Sequence, residues 1–153
     1  AQTPDRGYYF DLLEFQKNAE QNMTPSTPSI GHVYALSAKL DEMFAEGLEA
    51  RYARHQRTNQ MVRDWAARHG FTLFPEPGCE SLTLTCVNNG AKPGGRTVDV
   101  LKLVKLVKER GFLINGGYGK IKGTTFRISN MGDETEASMQ PLLAALDEAM
   151  QKL

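Results

Sequence analysis

The sequence predicts an α+β fold in which helices cover a small, mostly antiparallel sheet. Apolar residues recur at helical spacing in long stretches near the start, in the middle and at the end of the chain. Between these stretches lie short runs of β-branched and aromatic residues, bounded by the glycine, proline and asparagine turns that are typical of strand connections. With 153 residues, of which 41% are hydrophobic, the chain is long enough to bury one compact core.

The first part of the chain predicts an aromatic-rich segment, a proline turn and a long helical region. Two prolines keep residues 24–29 out of regular structure because each removes an amide donor, and Ser29 is then placed to cap a helix. Apolar residues follow helical spacing over residues 33–66, with a pause at Gly47 and an end at Gly70. The preceding segment, part of which we expect to be exposed, contains Tyr8, Tyr9, Phe10, Leu12, Leu13 and Phe15.

Two short strands and an amphipathic helix follow. Residues 71–74 and 81–87 predict strands that are separated by a Pro-Glu-Pro-Gly turn. Alternation in the second strand indicates one core face and one semi-polar face. Residues 98–109 predict a helix with a solvated lysine face, formed by Lys102, Lys105 and Lys108. The residues predicted to face inward are Val100, Leu101, Val104 and Val107.

The last part of the chain predicts two more strands and a C-terminal helix. Residues 112–115 and 124–129 predict the strands, which are joined by a glycine-rich loop. Asp133, three residues before Glu136, resembles a capping box at the start of the helix. Because Pro141 lacks an amide donor, we expect the helix to break or to begin late there.

Arg127 is the residue that points most directly to a ligand. It stands in the middle of a β-branched and aromatic run that would normally be half buried. Burying a guanidinium costs several kcal/mol unless an anion meets it, and the planar fork of donors suits a carboxylate. The preceding loop of Gly116, Gly117, Tyr118 and Gly119 lets the backbone approach a small ligand closely. The alternative is that Arg127 pairs with a structural Asp or Glu and the glycines only turn the chain.

Composition excludes several other classes of protein. The 18 basic and 18 acidic residues give no net charge, which argues against a nucleic-acid binder, and no apolar run approaches the length of a membrane span. Cys79 and Cys86 are too few for a disulfide scaffold or a four-ligand zinc site, and no two histidines have metal-ligand spacing. We therefore expect no metal site and a reducing, cytoplasmic location. The glycine loop matches neither the P-loop nor the dinucleotide fingerprint.

Two segments carry a family resemblance. Residues 111–132, GFLINGGYGKIKGTTFRISNMG, resemble the C-terminal signature of the class V aminotransferases, which include the serine–, alanine–glyoxylate, phosphoserine and 2-aminoethylphosphonate aminotransferases. Residues 22–36, NMTPSTPSIGHVYAL, resemble the Thr-Pro turn and following helix of the same family. The ordered resemblance extends over residues 8–150, nearly the whole chain.

The resemblance implies a fold, a cofactor and an activity. Members are fold-type I enzymes that use pyridoxal phosphate to move an amino group between an amino acid and a 2-oxo acid. By resemblance, Arg127 clamps the substrate carboxylate, and Gly116, Gly117 and Tyr118 line the substrate side. Thr27, assisted by Thr24, would reach the cofactor phosphate of the neighbouring subunit, which makes the complete enzyme a homodimer.

The resemblance also implies that the chain is the C-terminal domain of a longer enzyme. Residues 1–29 would join it to a large cofactor domain, and residues 30–153 would form the small domain. The lysine that binds the cofactor covalently would lie upstream, so we expect no catalytic residue in this chain and no activity from it alone. One alternative is a non-catalytic dimerisation or ligand-binding module derived from the same fold. Another, a related lyase such as a desulfurase, requires a cysteine in residues 116–124, where the chain has none.

Overall fold

The computed structural model describes residues 5–153 and divides the chain into two compact units, Ala1–Glu46 and Gly47–Leu153. The first four residues of the predicted joining segment lie outside the described part. The first unit contains helices α1 (Leu12–Ala19) and α2 (Ile30–Glu46). The second contains helices α3 (Leu48–Arg68), α4 (Val100–Glu109) and α5 (Glu136–Met150), and strands β1 (Thr72–Leu73), β2 (Leu84–Asn88), β3 (Asn115–Gly116) and β4 (Thr125–Ser129).

The first unit buries no residue of either helix. Asp11 caps α1 by accepting a hydrogen bond from the amide of Leu13 at 3.1 Å. Ser29 precedes α2 as predicted, but its hydroxyl lies 2.6 Å from Nδ1 of His32. The large apolar side chains that this unit exposes are those of Tyr8, Tyr9, Phe10, Leu12, Leu13, Phe15, Met23, Ile30, Val33, Tyr34, Leu36, Leu40 and Phe44.

Gly47 divides the long helical region that the sequence predicts. Its backbone has φ +84°, a left-handed conformation that side chains rarely adopt, so α2 ends before it and α3 begins after it. None of the helices in residues 5–153 is long and apolar enough to cross a membrane.

The second unit is an α+β layer structure, as the sequence predicts. Its strands form one antiparallel sheet in the order β1-β2-β4-β3, which places β4 in the interior of the sheet. Helices α3 and α4 pack on the sheet, and α5 packs against both helices. Trp65 and Phe126, both fully buried, lie near the centre of the core, with Phe71 stacked 5.9 Å from Trp65.

The two faces of the sheet differ in burial. Val87 and Phe126 oppose each other in register, and both are fully buried in the helix-covered core. Thr85 shares this face and accepts a hydrogen bond from Asn59 of α3 at 3.1 Å. Cys86 and Arg127 also oppose each other and lie on the other face, half buried. The semi-polar alternation along β2 therefore puts Thr85 and Val87 inside.

Two details of the helices differ from the sequence prediction. Leu101 is 78% exposed and Leu103 is fully buried, so the inward face of α4 is formed by Val100, Leu103 and Val107. The capping box of α5 is formed by Thr135 and Ser138 instead of Asp133 and Glu136.

Pro141 lies inside α5, and the helix continues through it. The predicted break is therefore wrong. The apolar residues of α5 explain why, because Met139 and Leu146 bury almost their whole surface in the core. That burial offsets the loss of one intrahelical hydrogen bond.

A buried polar cluster fixes the end of β4. The Asn130 amide group donates to the carbonyls of His55 and Leu82, each at 3.1 Å, and to the Thr58 hydroxyl at 2.9 Å. Its own carbonyl oxygen accepts from Asn59 at 3.3 Å. Because these polar groups are satisfied and buried, the cluster holds β4 rigidly against α3.

Candidate functional site

Arg127 occupies the middle of β4, between two neighbouring strands. Cys86 on β2 and Asn115 on β3 stand directly opposite it, so all three side chains share one face. Neither neighbour is charged. The pairing on both sides and the Asn130 cluster three residues later fix the backbone that carries the guanidinium.

The guanidinium of Arg127 has an unused hydrogen-bond donor. Its Nε atom is buried and has no hydrogen-bond partner among residues 5–153, and Arg127 forms no ion pair with these residues. A buried N–H group without a partner costs about 1–3 kcal/mol. Within the described part of the chain, Arg127 therefore has no Asp or Glu with which it could form the structural salt bridge of the alternative interpretation.

A pocket of about 380 Å³ contains Arg127 and the three residues predicted beside it. Gly116, Gly117 and Tyr118 line this pocket, which we call the Arg127 pocket, and Tyr118 is 85% exposed. The structure thus brings together all four residues that the resemblance assigns to the substrate side. Six further residues line it and were not predicted, namely Val100, Leu101, Val104, Asn115, Lys122 and Gly123.

These additional residues depend on tertiary structure. Val100, Leu101 and Val104 form an apolar wall because α4 packs beside the edge strand β3. The sequence predicts Leu101 to face inward, so its exposure beside the pocket could not be read from the sequence. Asn115 lines the pocket because the β3–β4 register places it opposite Arg127, and only a prediction of that register would have identified it.

Gly117 is required by its own loop. A Cβ atom at this position would lie 1.8 Å from the carbonyl oxygen of Ile121 and 2.4 Å from the hydroxyl oxygen of Thr125. The Gly117 amide donates to the Thr125 carbonyl at 2.8 Å, and the Thr125 hydroxyl donates to the Ile121 carbonyl at 3.0 Å. Gly117 thus permits the tight turn that closes one side of the Arg127 pocket, and close packing of its own chain explains this glycine without a ligand.

Cys86 lies beside Arg127 but lacks the properties of a nucleophile. Burial raises the pKa of its thiol, and this effect exceeds the opposing hydrogen bond with Thr125 and the charge of Arg127. A raised pKa leaves little thiolate near neutral pH.

Thr24 and Thr27 lie in the proline turn of the first unit. The Thr24 hydroxyl donates its proton to the carbonyl of Ser26 at 2.7 Å, so it has no further proton to donate to a ligand. Thr27 is exposed, and its hydroxyl makes no hydrogen bond with residues 5–153. A phosphate group needs donors, so Thr27 is the better suited of the two.

A larger pocket of about 510 Å³ lies at the C-terminal ends of α3 and α5. Arg68, His69, Arg96 and Asp147 are among its lining residues. One oxygen of Asp147 accepts hydrogen bonds from Nε1 of Trp65 and from Nε2 of His69, both at 2.7 Å. This carboxylate is used to join α3 to α5, so the pocket is less suited to chemistry than its size suggests.

Comparisons with known proteins agree with the motifs. No protein-family model matches the sequence. The chain is 32% identical over 146 residues to the small subunit of a soluble hydrogenase from Synechococcus, covering 95% of the chain and 37% of that subunit. It is 30% identical over 147 residues to a serine–glyoxylate aminotransferase from Methylorubrum extorquens, covering 93% of the chain and 35% of that enzyme.

The fold has solved relatives as well. An aspartate aminotransferase of subgroup IV from Thermus thermophilus superposes with a TM-score of 0.81 at 25% identity, over 96% of this chain and 40% of that enzyme. The chain thus spans little more than a third of the length of the relatives that it matches. In sequence and in fold, the chain is a homologue of the C-terminal domain of the class V aminotransferases.

Proposed function

We propose that this chain is the carboxylate-binding domain of a pyridoxal phosphate-dependent aminotransferase. One observation carries the proposal: Arg127 presents a guanidinium with a buried, unpartnered Nε in a pocket whose lining residues include no acidic side chain. A substrate carboxylate would supply the missing acceptor. Charge-assisted, bidentate pairs of this kind are stronger than neutral hydrogen bonds and also fix orientation.

The role of Arg127 in the reaction would be to position the substrate. A carboxylate held by two parallel N–H groups fixes the rotation of the rest of the molecule, and correct orientation accounts for several kcal/mol of a reaction barrier. The strand pairing and the Asn130 cluster would hold the backbone that carries the guanidinium while the substrate binds. Gly116 and the apolar wall would exclude water from one side of the bound acid.

Pyridoxal phosphate, when bound, would supply the electron sink for removal of the α-proton. From this chain, Thr27 would donate a hydrogen bond to the cofactor phosphate, and Thr24, whose hydroxyl donates to the Ser26 carbonyl, would orient the turn. The cofactor bound in this way would belong to the neighbouring subunit of a homodimer, which we propose to be cytoplasmic. Residues 1–29 would connect to the large cofactor domain.

The names of the relatives suggest the substrate classes. The Methylorubrum relative acts on serine and glyoxylate, and the Thermus structure is that of an aspartate aminotransferase. We therefore propose an amino acid as donor and a short 2-oxo acid such as glyoxylate as acceptor.

The experiment that tests the proposal uses the protein that contains this chain together with its cofactor domain. Addition of an amino acid and glyoxylate should yield glycine and the matching 2-oxo acid, and Arg127→Lys should reduce kcat/KM while the cofactor stays bound. A protein that binds carboxylates through Arg127 but never transfers an amino group would support the non-catalytic ligand-binding module instead.

A further inference from the structure

Lys122 places a second cation in the Arg127 pocket. Both residues line the pocket, and neither forms an ion pair with residues 5–153. No acidic side chain lines it. Asp99, which caps the start of the neighbouring helix α4 by accepting hydrogen bonds from the amides of Leu101 and Lys102, does not line the pocket. The polar groups of the pocket thus include two positive charges with no counter-charge.

The backbone places Lys122 and Arg127 near each other. Lys122 forms a β-bridge with Thr125, and Thr125 and Arg127 lie on the same face of β4, two residues apart. Two strand residues span about 7 Å. The Lys122 side chain is long and flexible, so its ammonium can adjust to a ligand that Arg127 already holds.

Apart from the two cations, most of the pocket lining is apolar or lacks a side chain. Val100, Leu101 and Val104 contribute apolar side chains, and Gly116, Gly117 and Gly123 contribute none. A ligand that matched this pocket would carry one anionic group at each end and a short methylene spacer between them. A ligand with a single carboxylate would leave the Lys122 ammonium without an anion.

We infer that Lys122 is a specificity residue that binds a second anionic group, so the preferred substrate is a short acid with two anionic ends. This inference rests on the proposed function, in which Arg127 holds the first carboxylate. Lysine is a point charge without a preferred bidentate partner, so the second group is a carboxylate or a phosphonate.

The chain itself provides a matched control. Lys120 lies two residues before Lys122, in the short 3-10 turn Gly119–Ile121, is exposed, and does not line the pocket. Lys122→Gln and Lys120→Gln therefore remove the same charge from the same loop. Only the first change removes a pocket cation.

The test is a titration of the 15N-labelled chain with butyrate, succinate and 3-phosphonopropionate, with dissociation constants taken from NMR chemical shifts. The wild-type chain should bind succinate about tenfold more tightly than butyrate, since an exposed ion pair contributes about fivefold and the two equivalent ends of succinate about twofold. Lys122→Gln should reduce this ratio to about twofold, while Lys120→Gln should keep it. A larger preference for 3-phosphonopropionate than for succinate would assign the second group as a phosphonate.

Two results would overturn the inference: an unchanged succinate preference in Lys122→Gln, or an equal loss in Lys120→Gln. Raising the salt concentration should also lower the preference in the wild-type chain, because the second pair is partly exposed to solvent. Arg127→Gln separates this inference from the proposed function. If Arg127→Gln binds butyrate as tightly as the wild-type chain, the proposed function fails. If Arg127→Gln loses butyrate binding but Lys122→Gln keeps the preference for succinate, Arg127 binds a carboxylate and Lys122 does not bind a second anion.

Discussion

Gly117→Ala should destabilise the second unit far more than Gly116→Ala, although the two glycines are adjacent. The added methyl group at Gly117 would lie 1.8 Å from the Ile121 carbonyl oxygen, where ordinary contacts begin at 3.4 Å. Two of the three nearest atoms, the carbonyl oxygen and carbon of Ile121, are backbone and cannot rotate away. At Gly116 the nearest atom is Cγ1 of Val100, at the ordinary distance of 3.4 Å.

The magnitude follows from what must move. Forcing extra volume into a packed site costs about 1–3 kcal/mol, and the two hydrogen bonds that join Gly117, Thr125 and Ile121 contribute about 1 kcal/mol each. We expect a loss of about 3 kcal/mol in the free energy of unfolding for Gly117→Ala and less than about 1 kcal/mol for Gly116→Ala. This loss is a large fraction of the total stability of a domain, about 5–15 kcal/mol.

Urea denaturation followed by tryptophan fluorescence measures this difference. Trp65 is the single tryptophan of the chain and is fully buried, so its emission reports the core of the second unit. Equal midpoints for the two variants, with unchanged slopes, would refute the argument that Gly117 is needed for the tight turn.

Four further predictions concern the core, the helix ends and the site. Asn130→Ala should lower the free energy of unfolding by about 3 kcal/mol, because buried donors and acceptors on α3 and at Leu82 lose their partner. A smaller loss than that caused by Asn18→Ala, at a half-buried asparagine of α1, would contradict the role of the cluster. Asp147→Ala should cost about 2 kcal/mol by leaving the buried Nε1 of Trp65 without an acceptor, and a blue shift in tryptophan emission should accompany it. Thr135→Ala should cost about 1 kcal/mol through loss of the capping box, whereas Thr24→Ala, outside any helix cap, should leave urea unfolding unchanged. In a Cys79→Ser background, alkylation of Cys86 should require a higher pH in the folded chain than in urea, because burial raises the pKa of the folded thiol. The stability that this thiol contributes is therefore complete at pH values below the pKa of the unfolded thiol. It is lost as the pH rises through the pKa of the folded thiol.

The sequence predicts the position of Arg127 well because the signals there are local. A charged residue in a β-branched run, a preceding glycine loop and a following Met-Gly pair are all read from neighbours in the chain. The antiparallel sheet is predicted too, but its order β1-β2-β4-β3 is not, because α4 and β3 lie in the chain between the paired strands β2 and β4. Element types were therefore predicted more reliably than element ends.

The remaining features depend on contacts between distant segments. Periodicity along α4 does not distinguish Leu101 from Leu103, because both adjoin the apolar stripe and only the position of the sheet decides which is buried. Pro141 has a strong local preference against a helix interior, which the burial of Met139 and Leu146 overrides. The Gly117 contact with Ile121 arises only once the loop has closed.

Arg127→Met tests the central claim most directly, through two measurements on one variant. Methionine keeps much of the side-chain length and removes the buried Nε that has no partner. If the guanidinium is retained to bind a carboxylate, butyrate binding should fall by more than about tenfold while the free energy of unfolding is unchanged or rises by up to about 1 kcal/mol. If Arg127 is instead structural, Arg127→Met should lower the free energy of unfolding by about 3 kcal/mol and leave butyrate affinity unchanged, and that result would contradict the account.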